Sequence, residues 1–257
     1  GRIKEYHDYP TLNDGLAGTV TATLHLAGTT YQDPRYRDAL LRFGDFLILA
    51  QLPAPQPAWA QQYNSQLQPM WARKFEPPAI AGRESEDVLE TLLFLADVLG
   101  EPRFLKPIPA ALDWLNRSEL SDGKIARFYE LRTNTPLYLT KDSYELTYSD
   151  SNLPTHYSFK SQSRVKEIEM RYTELLEGRK IEPRGRSLKT LTKDVQRILS
   201  ERNESGLWVT DDKGRMVPRT SGKDPSTLWL ESRQFSQRLS RLAEFLQAEK
   251  LRENATP

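Results

Sequence analysis

The chain has 257 residues, 38% of them hydrophobic, which is enough for one large domain or two small ones around an ordinary buried core. Its 36 Lys and Arg against 35 Asp and Glu leave a formal charge of +1. No global field therefore directs the protein to nucleic acid or an anionic membrane, and any cationic site has to be local. The absence of cysteine excludes disulfides, thiolate nucleophiles and cysteine-ligated zinc.

No apolar run approaches the roughly 20 residues of a spanning helix, and the chain opens on Gly1 without a hydrophobic leader, which reads as a processed or truncated product. The first periodic stripe is Leu16, Val20, Leu24 and Ala27, and the second is Tyr36, Leu40, Phe43, Leu47 and Ala50. Apolar residues three and four apart share one helix face, so each stripe predicts a helix with a buried side. An irregular stretch follows, "QLPAPQPAWAQQYNSQLQPMW" and then "KFEPPAIAG". Its length and its content of Trp59, Tyr63, Trp71 and Phe75 predict an ordered functional loop, because disordered segments are poor in aromatics. Val88, Leu92, Leu95, Ala96 and Leu99 give a third helix, and Leu105, Ile108, Leu112 and Leu115 a fourth. The segment "GKIARFYELRTNTPLYLTKDSYE" (123–145) is again irregular, with a short strand candidate in "TPLYLT". Residues 163–178 add a further helix. Leu188, Leu191, Val195, Ile198 and Leu199 give another, and Phe235, Leu239, Leu242 and Leu246 a last one. Between these two lies "SGLWVTDDKGRMVPRTSGKDPS", holding a second strand candidate, "LWVT", and a hairpin turn at "DDKGR". Helices of similar length in succession suggest hairpins packed about a common centre with the loops on one face, in a single domain over 1–257.

The chemistry on display is narrow. His7, His25 and His156 lie far apart and show no metal-ligand spacing; His25 falls on the apolar side of its helix and reads as a packing residue. There is no nucleophile elbow, P-loop or dinucleotide fingerprint. What remains is Arg73, Arg127 and Lys141, each set among aromatic residues. A guanidinium fork matches a carboxylate in two parallel hydrogen bonds, and aromatic rings suit sugar faces, so the set reads as a receptor for a multiply anionic ligand. The competing reading gives each arginine a local salt bridge, to Glu76 or Glu130 three positions on. For Asp14 the alternative is capping the helix that begins near Gly15, for Trp71 and Phe75 ordinary core, and for Asn134 a turn.

Three longer blocks, "YHDYPTLNDGLAG", "QQYNSQLQPMWARKFEPPAIAGRES" and "ARFYELRTNTPLYLTKD", resemble in order and spacing the signature blocks of the pectate lyases of polysaccharide lyase family 10. "VQRILSERNESGLWV" and "ESRQFSQRLSRLAEFL" look like the family's last helices. The resemblance implies an all-α fold, an (α/α) toroid of helical hairpins with long ordered loops, incomplete at the N-terminus. It also implies cleavage of polygalacturonate, or a related acidic polysaccharide, by calcium-assisted β-elimination in a secreted or periplasmic enzyme. By block alignment Arg73 corresponds to the proposed general base, a role that demands a strongly depressed pKa. Arg127 and Lys141 match positions that bind substrate carboxylates, with lysine where the family usually has arginine, and Trp71 and Asn134 join them as binding candidates. Asp14 matches an acid that holds the catalytic calcium; its remaining ligands belong to family blocks upstream of this chain, which points to an N-terminal fragment as a partner. Nucleic acid and membrane are not expected partners. Two other readings stay open: an impaired homologue that binds acidic glycans, and a helical scaffold whose groove holds protein.

Overall fold

A computed structural model describes residues 5–179 and 188–254. The chain divides into two compact units, 1–181 and 182–257.

In the first unit, α1 (Leu16–Tyr31) and α2 (Pro34–Leu49) follow the first two stripes. The break between them is local chemistry. Gln32 turns left-handed and returns its N–H to Gly28, and the Asp33 carboxylate then accepts the Arg35 N–H at 2.9 Å with Pro34 in the first helical turn. Helix α3 (Gly82–Leu99) is the core of the unit, burying Val88, Leu89, Leu92, Leu93 and Leu95 against α1, α2, α4 (Ile108–Ser118) and α5 (Val165–Leu176). The segment 51–79 enters the core too, with Trp59 and Tyr63 fully buried; the Trp59 indole N–H donates to Leu47 O and the Tyr63 hydroxyl to Ala50 O. A buried ring with its polar end satisfied is how an irregular segment acquires one conformation.

The all-α expectation is corrected here. Two antiparallel sheets run through the segments that connect the helices. One has the order β1-β3-β4-β5, built from β1 (Ile80–Ala81), β3 (Phe128–Tyr129), β4 (Pro136–Leu139) and β5 (Leu146–Thr147). The other pairs β2 (Lys124–Ala126) with β6 (Lys160–Gln162), Ile125 opposite Ser161. An all-α toroid is thus not what the chain forms. "TPLYLT" does supply β4, but the other strands are two or three residues long, too short for alternation to register against the aromatic and turn residues around them.

The junction of β1 and α3 brings the loops together. The Gly82 N–H donates to Arg127 O at 3.0 Å and the Arg127 N–H to Phe159 O at 2.8 Å, so three distant segments meet at one backbone. The approach is close: a Cβ on Gly82 would lie 2.4 Å from Ala126 O.

The second unit holds α6 (Leu188–Ser200) and α7 (Ser232–Asn254), packed together and pinned by Arg238, which forks onto Glu201 at 2.6 Å. The "DDKGR" stretch forms the hairpin turn, Gly214 N–H donating to Asp211 O and Thr210 bridging Met216. "LWVT" forms no strand of its own; Thr210 makes isolated bridges to Met216 and Trp229. No described helix is long and apolar enough to cross a membrane.

Candidate functional site

The site is built around one buried carboxylate. Glu76 is 2% exposed, and six donors surround it. Its Oε2 accepts the Arg73 N–H at 3.0 Å and Nε at 2.8 Å; its Oε1 accepts Arg73 Nη2 at 2.5 Å, Gln61 Nε2 at 2.6 Å, Tyr157 OH at 3.1 Å and Asn13 Nδ2 at 3.2 Å. Burial pushes the carboxyl pKa up, but Arg73 and the other donors outweigh it and the value falls below the usual glutamate range. The same pair raises the Arg73 pKa, Glu76 hydrogen bonding outweighing partial desolvation. The local salt bridge between Arg73 and Glu76 is therefore present. It uses Nε and Nη2 of the guanidinium, and both partners line a cleft of about 460 Å³ together with Asn13, Asp14, Thr19 and Gln62 among others.

Arg127 lies behind this cleft. Its side chain is 7% exposed, and Nη2 donates to Glu84 Oε1 at 2.7 Å and to Asn13 Oδ1 at 3.0 Å. Its pairing partner is thus Glu84, not Glu130, which instead accepts from Thr133 and Tyr148 hydroxyls. Glu84 sits in the first turn of α3, fully buried, and burial lifts its pKa to about 7 against the pull of Arg127. One of its oxygens, Oε2, has no hydrogen-bond partner, and neither has Arg127 Nε.

The two arginines share an aromatic neighbour. Arg127 Cζ stands 4.2 Å from the Tyr157 ring centre and Arg73 Cζ 5.9 Å from it, which bounds their separation at about 10 Å, the screening length of ordinary salt. Phe75 packs on Tyr157 at 4.7 Å and on His156 at 5.2 Å, and Lys74 Nζ lies 4.6 Å from the Tyr144 ring, so cations and rings do collect around these loops.

The other sequence candidates fall as follows. Asp14 is exposed at the cleft in a left-handed conformation (φ 56°), and α1 has Gly15 at its N-cap with no side-chain cap, so the Asp14 carboxylate is not taken up in capping. Trp71 is half-buried outside the core cluster. Lys141 is exposed on the β4–β5 turn, its N–H donating to Asn152 O. Asn134 is left-handed (φ 60°) and its amide is fully engaged: Oδ1 accepts from Trp114 Nε1 at 2.7 Å and Gln56 Nε2 at 3.0 Å, and Nδ2 donates to Ser118 Oγ at 2.8 Å. That is the turn role. His25 packs edge-on against Phe94 at 5.3 Å.

Four participants escaped the sequence reading as site residues: Asn13, Gln61, Glu84 and Tyr157. Asn13 stood inside the block "YHDYPTLNDGLAG", and Gln61 and Glu84 inside "QQYNSQLQPMWARKFEPPAIAGRES", so adjacency to Asp14 and the arginines was a usable signal. Nothing marked Tyr157.

As a potential metal position the cleft is sparse. Calcium takes six to eight oxygens, whereas among the described residues lining the cleft the carboxylates are Asp14 and Glu76, and Glu76 is already held by its six donors. Among the described residues the group of ligating side chains within reach of one ion is Glu5, His7 and Asp8, all exposed, and Asp14 is not in it.

The fold and the cleft together define a mixed α and β protein with a polar hollow walled by a carboxylate-paired arginine. A family model described as pectic acid lyase matches residues 5–126. Among solved structures, the chain is similar to a family 10 polysaccharide lyase from Cellvibrio cellulosa, at 20% identity and a TM-score of 0.55 over 67% of this chain and 64% of that one. A mutant of that lyase in complex with trigalacturonic acid matches at 19% identity and a TM-score of 0.55, over 68% of this chain and 64% of the other. The chain therefore spans less than two thirds of the length of those structures. No curated protein matches it. Residues 5–126 thus match the pectic acid lyase model, and the chain shares its fold with the family 10 polysaccharide lyase.

Proposed function

We propose that the protein is a polysaccharide lyase, acting outside the cytoplasm, whose cleft takes a polygalacturonate-like chain and breaks it by β-elimination. One observation carries the reading: every residue lining the cleft, from Tyr6 to Glu76, falls inside the segment that matches the pectic acid lyase family. The trigalacturonic acid bound to a structural neighbour supports the choice of ligand.

The reaction removes the proton on C5 of a uronate, next to its carboxylate, forms the C4–C5 double bond and expels the C4 oxygen, which takes up a proton. The C5 proton is a weak acid until positive charge offsets the adjacent carboxylate. Arg73 supplies that charge from the cleft wall, with Glu76 fixing its orientation. Service as general base requires the Glu76 pair to open, because the pair holds the guanidinium protonated. Lys141, on its exposed turn, and Trp71 are proposed as outer contacts to further sugar units. Asp14 would be one ligand of a calcium ion, for which the cleft by itself offers too few oxygens.

A second reading, binding of acidic glycans without turnover, is favoured by the same raised pKa of Arg73. Incubation with polygalacturonate and calcium, followed by ultraviolet absorbance of the unsaturated product, separates the two. Rising absorbance that falls about a hundredfold or more in Arg73→Ala supports the lyase, as expected for loss of a charge-stabilising group. A flat trace from the intact protein refutes it, and retained turnover in Arg73→Ala removes Arg73 from the reaction.

A further inference from the structure

Among the described residues, Asn13 is the side chain that hydrogen-bonds to both arginine–carboxylate pairs. Its Oδ1 accepts from Arg127 Nη2 at 3.0 Å and from the Asp14 N–H at 2.8 Å, while its Nδ2 donates to Glu76 Oε1 at 3.2 Å. The amide can sit only this way round. Turned over, it would set an N–H against the guanidinium of Arg127 and an oxygen against the Glu76 carboxylate, and both contacts would repel. Its backbone is fixed as well, the Asn13 N–H donating to Thr11 Oγ1 at 3.2 Å.

Two consequences converge on the cleft. The carbonyl of the amide holds the N–H of Asp14, a residue in the left-handed region where a non-glycine conformation needs support from its surroundings. The amide nitrogen helps hold Glu76, which in turn forks Arg73. Arg127 and Glu84, although an arginine and a glutamate in matched or neighbouring blocks, do not line the cleft; their buried pair presents a fixed donor to Asn13.

We propose that Asn13 is the positioning residue of the cleft, its amide setting the Asp14 carboxylate and the Arg73 guanidinium together, with the buried Arg127–Glu84 pair dictating the amide's orientation. The inference deepens the uronate reading and rests on it only for what the positioned groups then bind. An isosteric change separates the two halves of the amide. Asn13→Asp keeps the acceptor for Arg127 and for the Asp14 N–H but places an oxygen against Glu76; Asn13→Ala removes both halves.

The test uses the ligand-free protein and nuclear magnetic resonance. Hydrogen exchange is followed at two protons, the Asp14 amide and Arg73 Nε–H, in the wild type and both variants, with thermal melts establishing that each variant is folded. In Asn13→Ala both protons exchange faster, Arg73 Nε–H by about tenfold or more because a bond to the ionised Glu76 is lost, and the Asp14 amide by several-fold, as expected for a neutral hydrogen bond. In Asn13→Asp the Asp14 amide keeps its protection while Arg73 Nε–H is released. Unchanged exchange at Arg73 in both variants overturns the inference, and so does loss of protection at Asp14 in Asn13→Asp. Trigalacturonic acid is then titrated into the wild type and Asn13→Asp. Weaker binding by about tenfold in the variant agrees with the inference. A wild type that binds no trigalacturonic acid refutes the uronate reading and leaves the exchange pattern to decide on Asn13.

Discussion

Replacing Glu84 by Gln tests the electrostatics on which the buried side of the site depends. Glu84 is fully buried, faces Arg127 from the β2–β3 connection, and has Arg83 and Asp87 beside it on its own helix. Burial lifts its pKa from the ordinary 4.5 to about 7, with Arg127 pulling the other way. A carboxyl raised in the fold favours the neutral form there, so its contribution is fully present below pH 4.5 and is lost as pH rises to about 7. At about 1.4 kcal/mol per pKa unit the loss over that window is on the order of 3 kcal/mol, a large part of the 5–15 kcal/mol typical of a domain. Glutamine keeps an acceptor for Arg127 Nη2 and does not titrate. Glu86, also raised by burial, titrates in both proteins and cancels in the comparison. Urea denaturation at a series of pH values between about 4.5 and about 7 should show the wild type losing stability relative to Glu84→Gln by roughly 3 kcal/mol. Parallel curves across that window would refute the reasoning and place the Glu84 pKa at its ordinary value.

Gly82→Ala should lower the melting temperature strongly, because the new Cβ meets Ala126 O at 2.4 Å and Ile125 Cγ1 at 2.6 Å; overpacking of this kind costs about 1–3 kcal/mol, and a melt within a degree of wild type would show that the β1–α3 junction can open. Asn134→Ala removes three hydrogen bonds and a side chain tolerant of φ 60°, so it should destabilise by about 2–3 kcal/mol in chemical denaturation. Its affinity for trigalacturonic acid should stay unchanged if the turn role is the whole of its function. Lys141→Ala should show the reverse pattern, unchanged stability with weaker binding, and unchanged binding would remove Lys141 from the site.

What could be read along the chain was whatever depends on near neighbours. The stripes at Leu40–Phe43–Leu47 and Val88–Leu92–Leu95 announced α2 and α3 because a helix repeats its buried face every three or four residues. The Arg73–Glu76 pair was visible as a spacing of three, and the blocks around Asp14, Arg73 and Arg127 pointed to the family whose model matches residues 5–126. The sheets could not be read that way. Strands of two to four residues are made mostly by partners far apart, Ile80 with Tyr129 and Ile125 with Ser161, and carry almost no periodicity of their own. Burial was equally out of reach: Arg127 stood in the sequence as a ligand-facing cation, and only the folding of β2, β3 and α3 onto one another set it against Glu84, 43 positions away, and behind Asn13, 114 positions away. A charge declares its sign in the sequence. Whether it faces solvent, a substrate or another charge is decided by the segments that close over it.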